Sequence, residues 1–433
     1  MDERVVVTGI GALSGLGNDP QTQWKAVLRG DSAVARLVRL SERIEVPGAE
    51  PPVAGARVHG VDPRDWVSDR KAIRAMRLHT HLAFAATGQA LTSAKLRADE
   101  LDGDAIGITL GISMIDYDIA DLELAARRST DAATGFDIER FCRAGWHAIS
   151  PMVSIVMLNN ATLCQIAMQY RLHGPNASFS PFGEAGGQAL GEALRILRDG
   201  DARVMLAGGV GPRLNLSALQ RMLYLDIVAE TADPPARSCR PFDRARTGTV
   251  PGEAAAMLTL ETLSHARVRG APILAEVLGH GSAVGADDHA PNPARATIEQ
   301  ALGVALDDAG IAPDRLDCVY ADAPGLPSGD AVEAEAIAAV LGPHRTPVTS
   351  LKGATGHPLA AALPLHAVFA VLGGGDRMVP PVTNLTEPED FSIDLVRDEP
   401  RRLPPGSTVA CLAAGFQGQS ECLLLGAFDP GEA

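Results

Sequence analysis

Positive charge is scarce in this chain. Its 38 Lys and Arg stand against 53 Asp and Glu, a net charge of −15, and only Lys25, Lys71, Lys95 and Lys352 are lysines. Gripping a nucleic-acid backbone or an anionic membrane needs concentrated cations, so neither is expected as a partner. Paired cysteines are missing too. Cys142, Cys164, Cys239, Cys318, Cys411 and Cys422 form no CxxC motif, which argues against a disulfide framework or a zinc site and leaves reduced, mostly buried thiols. No metal and no cofactor are expected. No apolar run reaches membrane-spanning length, and MDERVVVTG begins acidic and enters a short strand, unlike a signal peptide. These absences point to a cytoplasmic protein.

What is present is a large apolar store. With 433 residues, 46% of them hydrophobic, the chain can bury the core of two domains or of one large duplicated one. Val5 to Asn18, VVVTGIGALSGLGN, is a buried-type strand that stops at a glycine-rich turn. Further strands are predicted at Ile106 to Gly111, Ala202 to Gly209, Ala255 to Glu261, Cys318 to Ala321 and Thr408 to Ala414. Helices are predicted at Gly187 to Arg198 and Ala331 to Leu341. This alternation favours layered α/β architecture with mainly parallel sheets.

Four separated segments resemble the β-ketoacyl synthase family, within the thiolase-like superfamily. They are VVVTGIGALSGLG from Val5, RPFDRARTGTVPGEAAAMLTLE from Arg240, SLKGATGHPLAAA from Ser350 and AAGFQGQS from Ala413. Each is a modest signal, but all four occur in family order and span nearly the whole chain. The resemblance implies a five-layered α-β-α-β-α fold with two duplicated halves, residues 1–252 and 253–433.

The family's catalytic set is largely missing. In GPNASFSPFGEAGGQALG, counting nine positions on from Gly174 or eight back from Gly191 reaches Gly183, where the family carries its nucleophilic Cys. A thiol at a helix start has its pKa depressed by the dipole and free N–H groups; glycine offers no atom to acylate. Pro324, in Asp322-Ala323-Pro324-Gly325, stands where the resemblance places the first His, and proline has neither a titratable group nor an N–H. Lys352 and His357 of the second His motif are retained. Loss of two catalytic positions on a complete scaffold resembles the chain length factors, or ketosynthase β subunits, of type II polyketide synthases. Aromatic-system members of that group place Gln at the nucleophile position and Arg near the second His, which points to a divergent branch here.

The resemblance then implies partners and a tunnel. The partners are an active ketosynthase α subunit, joined as a heterodimer across Asn176 to Ala193, and a polyketide chain bound to an acyl carrier protein. Tyr117, Ala120 and Leu124 share one helical face by spacing, a pattern that fits either core packing or the wall of a tunnel limiting chain length. Phe416 matches the family's gating Phe and serves as a gate or as packing. Met152, Ile155 and Met157 fit a core gap or a partner-facing surface, the core being favoured. Glu184 reads as a carboxylate base or as a helix-start cap, and His357 as structural or as a hydrogen-bond donor. Two other functions stay open: a malonyl-carrier decarboxylase supplying an acetyl primer, and a solitary acyl-binding protein.

Overall fold

The structure, a computed structural model, describes residues 3–37, 53–97, 102–114, 119–180, 182–285 and 294–428. Eleven strands form its main hydrogen-bonded ladder. In chain order they are β1 (Val5–Ser14), β2 (Ile106–Ile112), β3 (Asn176–Phe179), β4 (Val204–Val210), β5 (Ala254–Thr262), β6 (Ala275–Val284), β7 (Cys318–Tyr320), β8 (Pro347–Thr349), β9 (Asp394–Leu395), β10 (Thr408–Ala414) and β11 (Gln419–Gly426). The main helices are α1 (Leu78–Ser93), α2 (Ile119–Ser129), α3 (Ala161–Tyr170), α4 (Ala185–Asp199), α5 (Leu216–Tyr224), α6 (Arg295–Ala309), α7 (Pro327–Leu341) and α8 (Ala362–Asp376).

Strand order exposes a duplication that the sequence repeat shows only weakly. The first half runs β3-β2-β4-β5-β1 and the second β8-β7-β10-β11-β6, with β9 added at the end. In each half the first two pairings are parallel and the next two antiparallel. Val5 to Val7 of β1 pair with Ala275 to Val277 of β6 and join the halves. The break therefore falls between Thr262 and Ala275. A division at 252/253 would detach β5, which pairs with β1 and β4 and completes the first half.

Helix packing sets the five layers. Helices α4 and α8 touch strands of both halves and lie between them, while α1 covers the outer face of the first half and α6 that of the second. Such a central position suits α8, whose residues are buried from Ala362 through Val371: a helix apolar all round belongs in a core. The stretch Leu359–Asp376 is long and apolar enough to cross a membrane, yet 78% of it is buried within the protein. Small residues bring the outer helices close. A Cβ on Gly9 or Gly11 would run into the carbonyl oxygens of Ala90 or Ala86 on α1, and one on Gly279 or Gly281 into those of Ala305 or Ala301 on α6. The same glycine pair thus opens each half against its own helix, a second mark of duplication.

Candidate functional site

The segment after β3 turns at Phe182 and Gly183 and enters α4. Gly183 faces two other loops. A Cβ on it would stand 2.7 Å from the Ala414 carbonyl oxygen, inside van der Waals contact, and 3.7 Å from Cε1 of His357. The vacancy at this turn is therefore filled by backbone from the end of β10.

His357 is fully buried and held by its backbone, donating to Val250 O at 2.6 Å and accepting from Gly252 N at 3.1 Å. Its Nδ1 accepts the Leu359 N–H at 3.3 Å, which assigns the ring proton to Nε2. Nε2 has no partner among the described residues. Burial, with Lys352 adding to it, pushes the imidazole pKa well below its ordinary value, so this is a neutral ring with one N–H to offer. The Phe416 ring lies edge-on to it, with centroids 5.5 Å apart, and edge-on to Phe182 at 5.9 Å. Gly183, His357 and Phe416 thus converge. Beside them runs a narrow apolar crevice with a cavity volume of about 20 Å³, lined by Phe182, Leu214, Met222, Ile227, Leu359 and Phe416.

Pro324 sits in the loop between β7 and α7, and two buried carboxyls hold that loop. Glu333 accepts from the N–H groups of Asp322 and Ala323 at 2.8 and 2.6 Å. Asp330 accepts from those of Gly325 and Phe242 at 2.9 and 2.8 Å. The series skips Pro324, which has no N–H. Burial raises both carboxyls, Asp330 to about 7 and Glu333 also upward, with Asp322 contributing. Lys352 does not bond His357. Its Nζ donates to Asp322 Oδ1 at 2.8 Å with both side chains buried, a tie between the Pro324 loop and the His357 segment that sequence reasoning missed.

The predicted tunnel face is only partly visible. Tyr117 lies outside the described residues, and of Ala120 only its place in α2 is described. Leu124 is 49% exposed. Met152, Ile155 and Met157, favoured as core, are on the surface, together with Phe136, Ile138, Trp146, Leu158 and Met168. The sequence marks them as apolar but cannot say that no described element of the same chain covers them. Asn159 Nδ2 donates to Ser180 Oγ at 2.8 Å, and Ser180 Oγ to Ile112 O at 2.9 Å. These bonds tie the apolar segment to the turn after β3, the outermost strand of the first half.

No cysteine relocates the chemistry. Cys239, Cys318, Cys411 and Cys422 are buried, and burial holds the Cys239 thiol up at about 12. Cys142 and Cys164 are exposed within helical segments, away from this cluster's loops. Glu184, open between base and cap, is buried beside Gly183. Its Oε1 accepts the Phe182 N–H at 3.4 Å, and Oε2 has no partner.

Residues 2–266 match the beta-ketoacyl synthase N-terminal domain and residues 274–386 its C-terminal domain. The chain is 32% identical over 427 residues to 3-oxoacyl-(acyl-carrier-protein) synthase 2 of Vibrio cholerae serotype O1, covering 97% of this chain and 98% of the relative. It is 31% identical over 426 residues to the protein of the same name from Coxiella burnetii, covering 98% of each. Among solved structures, the ishigamide ketosynthase/chain length factor is similar with a TM-score of 0.86 at 25% identity, over 99% of this chain and 100% of that one. A beta-ketoacyl synthase from Burkholderia phymatum gives 0.86 at 28% identity with the same coverage. Fold, duplicated topology and these matches agree: the chain belongs to the β-ketoacyl synthase family.

Proposed function

We propose that this chain is a non-condensing partner subunit, a chain length factor, that pairs with an active ketosynthase and shapes the tunnel for a polyketide carried on an acyl carrier protein. The observation that carries the reading is Gly183. It faces His357 with no atom to acylate, and the Ala414 carbonyl stands where a side chain would begin. Pro324 supports it from the second loop, because condensation by this family's route needs an imidazole there and proline cannot act as one. The apolar surface beside β3 supports the heterodimer, since exposed patches of this kind mark protein interfaces. The role of Tyr117, Ala120 and Leu124 as tunnel wall, and a cytoplasmic location, belong to the same reading. Co-expression with a ketosynthase that carries Cys and His at the positions of Gly183 and Pro324 tests it. The expected result is a stable complex that makes polyketide only when both chains are present. A monomer that never co-purifies with such a partner, or a product unchanged without this chain, overturns the reading.

A second reading rests on the unpartnered Nε2–H of His357. A neutral donor on a ring beside Gly183 can stabilise the enolate formed when a malonyl thioester loses carbon dioxide. Incubating the purified chain alone with malonyl-carrier decides this, because acetyl-carrier at background level removes it.

A further inference from the structure

Glu184 and Gln419 carry two oxygens that face the same small space. Glu184 is 1% exposed, yet its Oε2 has no hydrogen-bond partner among the described residues, and neither has the buried Oε1 of Gln419. Both flank Gly415. A Cβ on that glycine would overlap Glu184 Oε2 and stand 2.8 Å from Gln419 Oε1. Two acceptors stripped of water beside the same glycine are unfavourable, because neither recovers the hydrogen bond it had in solution. A single proton between them removes the conflict.

We propose that Glu184 is a positioning residue: as a neutral carboxylic acid it donates its proton to the Gln419 amide oxygen past Gly415, and this bond latches the turn bearing Phe416 across Gly183. The surroundings favour the neutral form. Glu421 on β11 and Asp322 after β7 both face Glu184 with negative charge, the first held by His280 and Ser282 and the second by Lys352. His357, also facing the turn, is neutral. Burial raises the Glu184 carboxyl, and the two acidic neighbours raise it further against the backbone N–H groups that lower it. Gly415 N–H already donates to Gln419 O at 2.9 Å, so the side-chain bond ties a closed turn to the start of α4. This explains why the Ala414 carbonyl is pressed onto Gly183, and it does not depend on which partner the chain has.

Infrared difference spectra of the full chain at neutral pH, wild type against Glu184→Gln, test the protonation directly. The expected difference is loss of one protonated-carboxyl carbonyl band; loss of a carboxylate band instead, as an ionised Glu184 paired to a reversed Gln419 amide would give, overturns the proposal. Hydrogen exchange tests the latch. The amides of residues 414–419 should exchange about tenfold faster in Glu184→Ala, as expected for loss of one buried hydrogen bond, and stay within about twofold of wild type in Glu184→Gln, whose amide still donates. Wild-type exchange in Glu184→Ala, or equal acceleration in both variants, overturns it. Gln419→Ala breaks the same bond from the other side. An infrared pH titration of the wild-type chain, with that of Glu184→Gln subtracted to remove the Asp330 and Glu333 bands, follows this carboxyl alone, and ionisation already complete at neutral pH overturns the proposal as well.

Discussion

At the scale of single residues, the vacant nucleophile position is also a packing solution. A thiol cannot simply be returned to Gly183, because its Cβ would press on the Ala414 carbonyl at 2.7 Å, and that oxygen is backbone at the end of a buried strand. Gly183→Cys should therefore lower stability by about 1–3 kcal/mol, the usual cost of overpacking, and gain no acyl adduct on incubation with acyl-carrier. Intact-mass spectrometry and thermal melting check both halves, and an acylated variant melting like wild type would contradict the geometry. Lys352 argues differently. Its charge is buried against Asp322, so Lys352→Met strands a carboxylate and should cost about 3–5 kcal/mol, whereas Lys352→Met with Asp322→Leu should recover much of that loss. Denaturant midpoints of the single and double variants check this, and equal losses would mean that the pair is not the source of the cost.

Between residue and whole, the elements show what one sequence can disclose. The strands were legible because buried β runs such as VVVTGIGALS are mostly apolar on both faces, and the turn into α4 because glycines punctuate it. Gly183, Pro324, His357 and Phe416 were singled out by resemblance to family motifs, and the structure sets His357 beside Gly183 and Phe416 edge-on to His357. The Met152 to Leu158 segment could not be placed, since apolar residues seeking cover look alike whether that cover comes from the same chain or another. Nor did any local pattern announce the Asp322–Lys352 tie or the convergence of Glu184 on Gln419, which join residues 30 and 235 positions apart. If the exposed segment is the partner surface, Ile155→Asp should abolish co-purification with the ketosynthase while leaving the melting of the isolated chain unchanged. Chemical cross-linking and calorimetry check it; retained pairing counts against this face. Within an intact complex, Ala120→Phe should shorten the product, read by mass spectrometry of released chains.

Across the whole molecule, the duplication was expected from resemblance but displaced by one strand. The Arg240 to Glu261 motif runs into β5, and only pairing reveals that β5 closes the first half. The packed layers also bury titratable groups, among them His79, His357, His366, Asp330 and Glu333, so stability must depend on pH in a definite way. Burial holds His79 and His366 down at about 3 and His357 well below its ordinary value. As pH falls below 6.5, the unfolded chain takes up protons that the folded chain refuses, and stability drops toward acid. The buried carboxyls act in the opposite sense. Asp330, raised from 3.8 to about 7, and Glu333, also raised, keep protons that the unfolded chain releases, so their contribution is full below the ordinary carboxylate range and is lost as pH rises through their folded values. Between about pH 4 and 6.5 the two effects oppose each other; above 6.5 the unfolded histidines are already neutral, and only the carboxyl loss continues. The expected profile is a plateau with decline on both sides, the alkaline decline lying between pH 6.5 and 8. Urea midpoints across that range check it. Glu333→Gln, which has no proton to release, should be less stable throughout yet show a shallower alkaline slope, whereas stability that rises from pH 6.5 to 8 would show that these carboxyls are ionised in the folded protein.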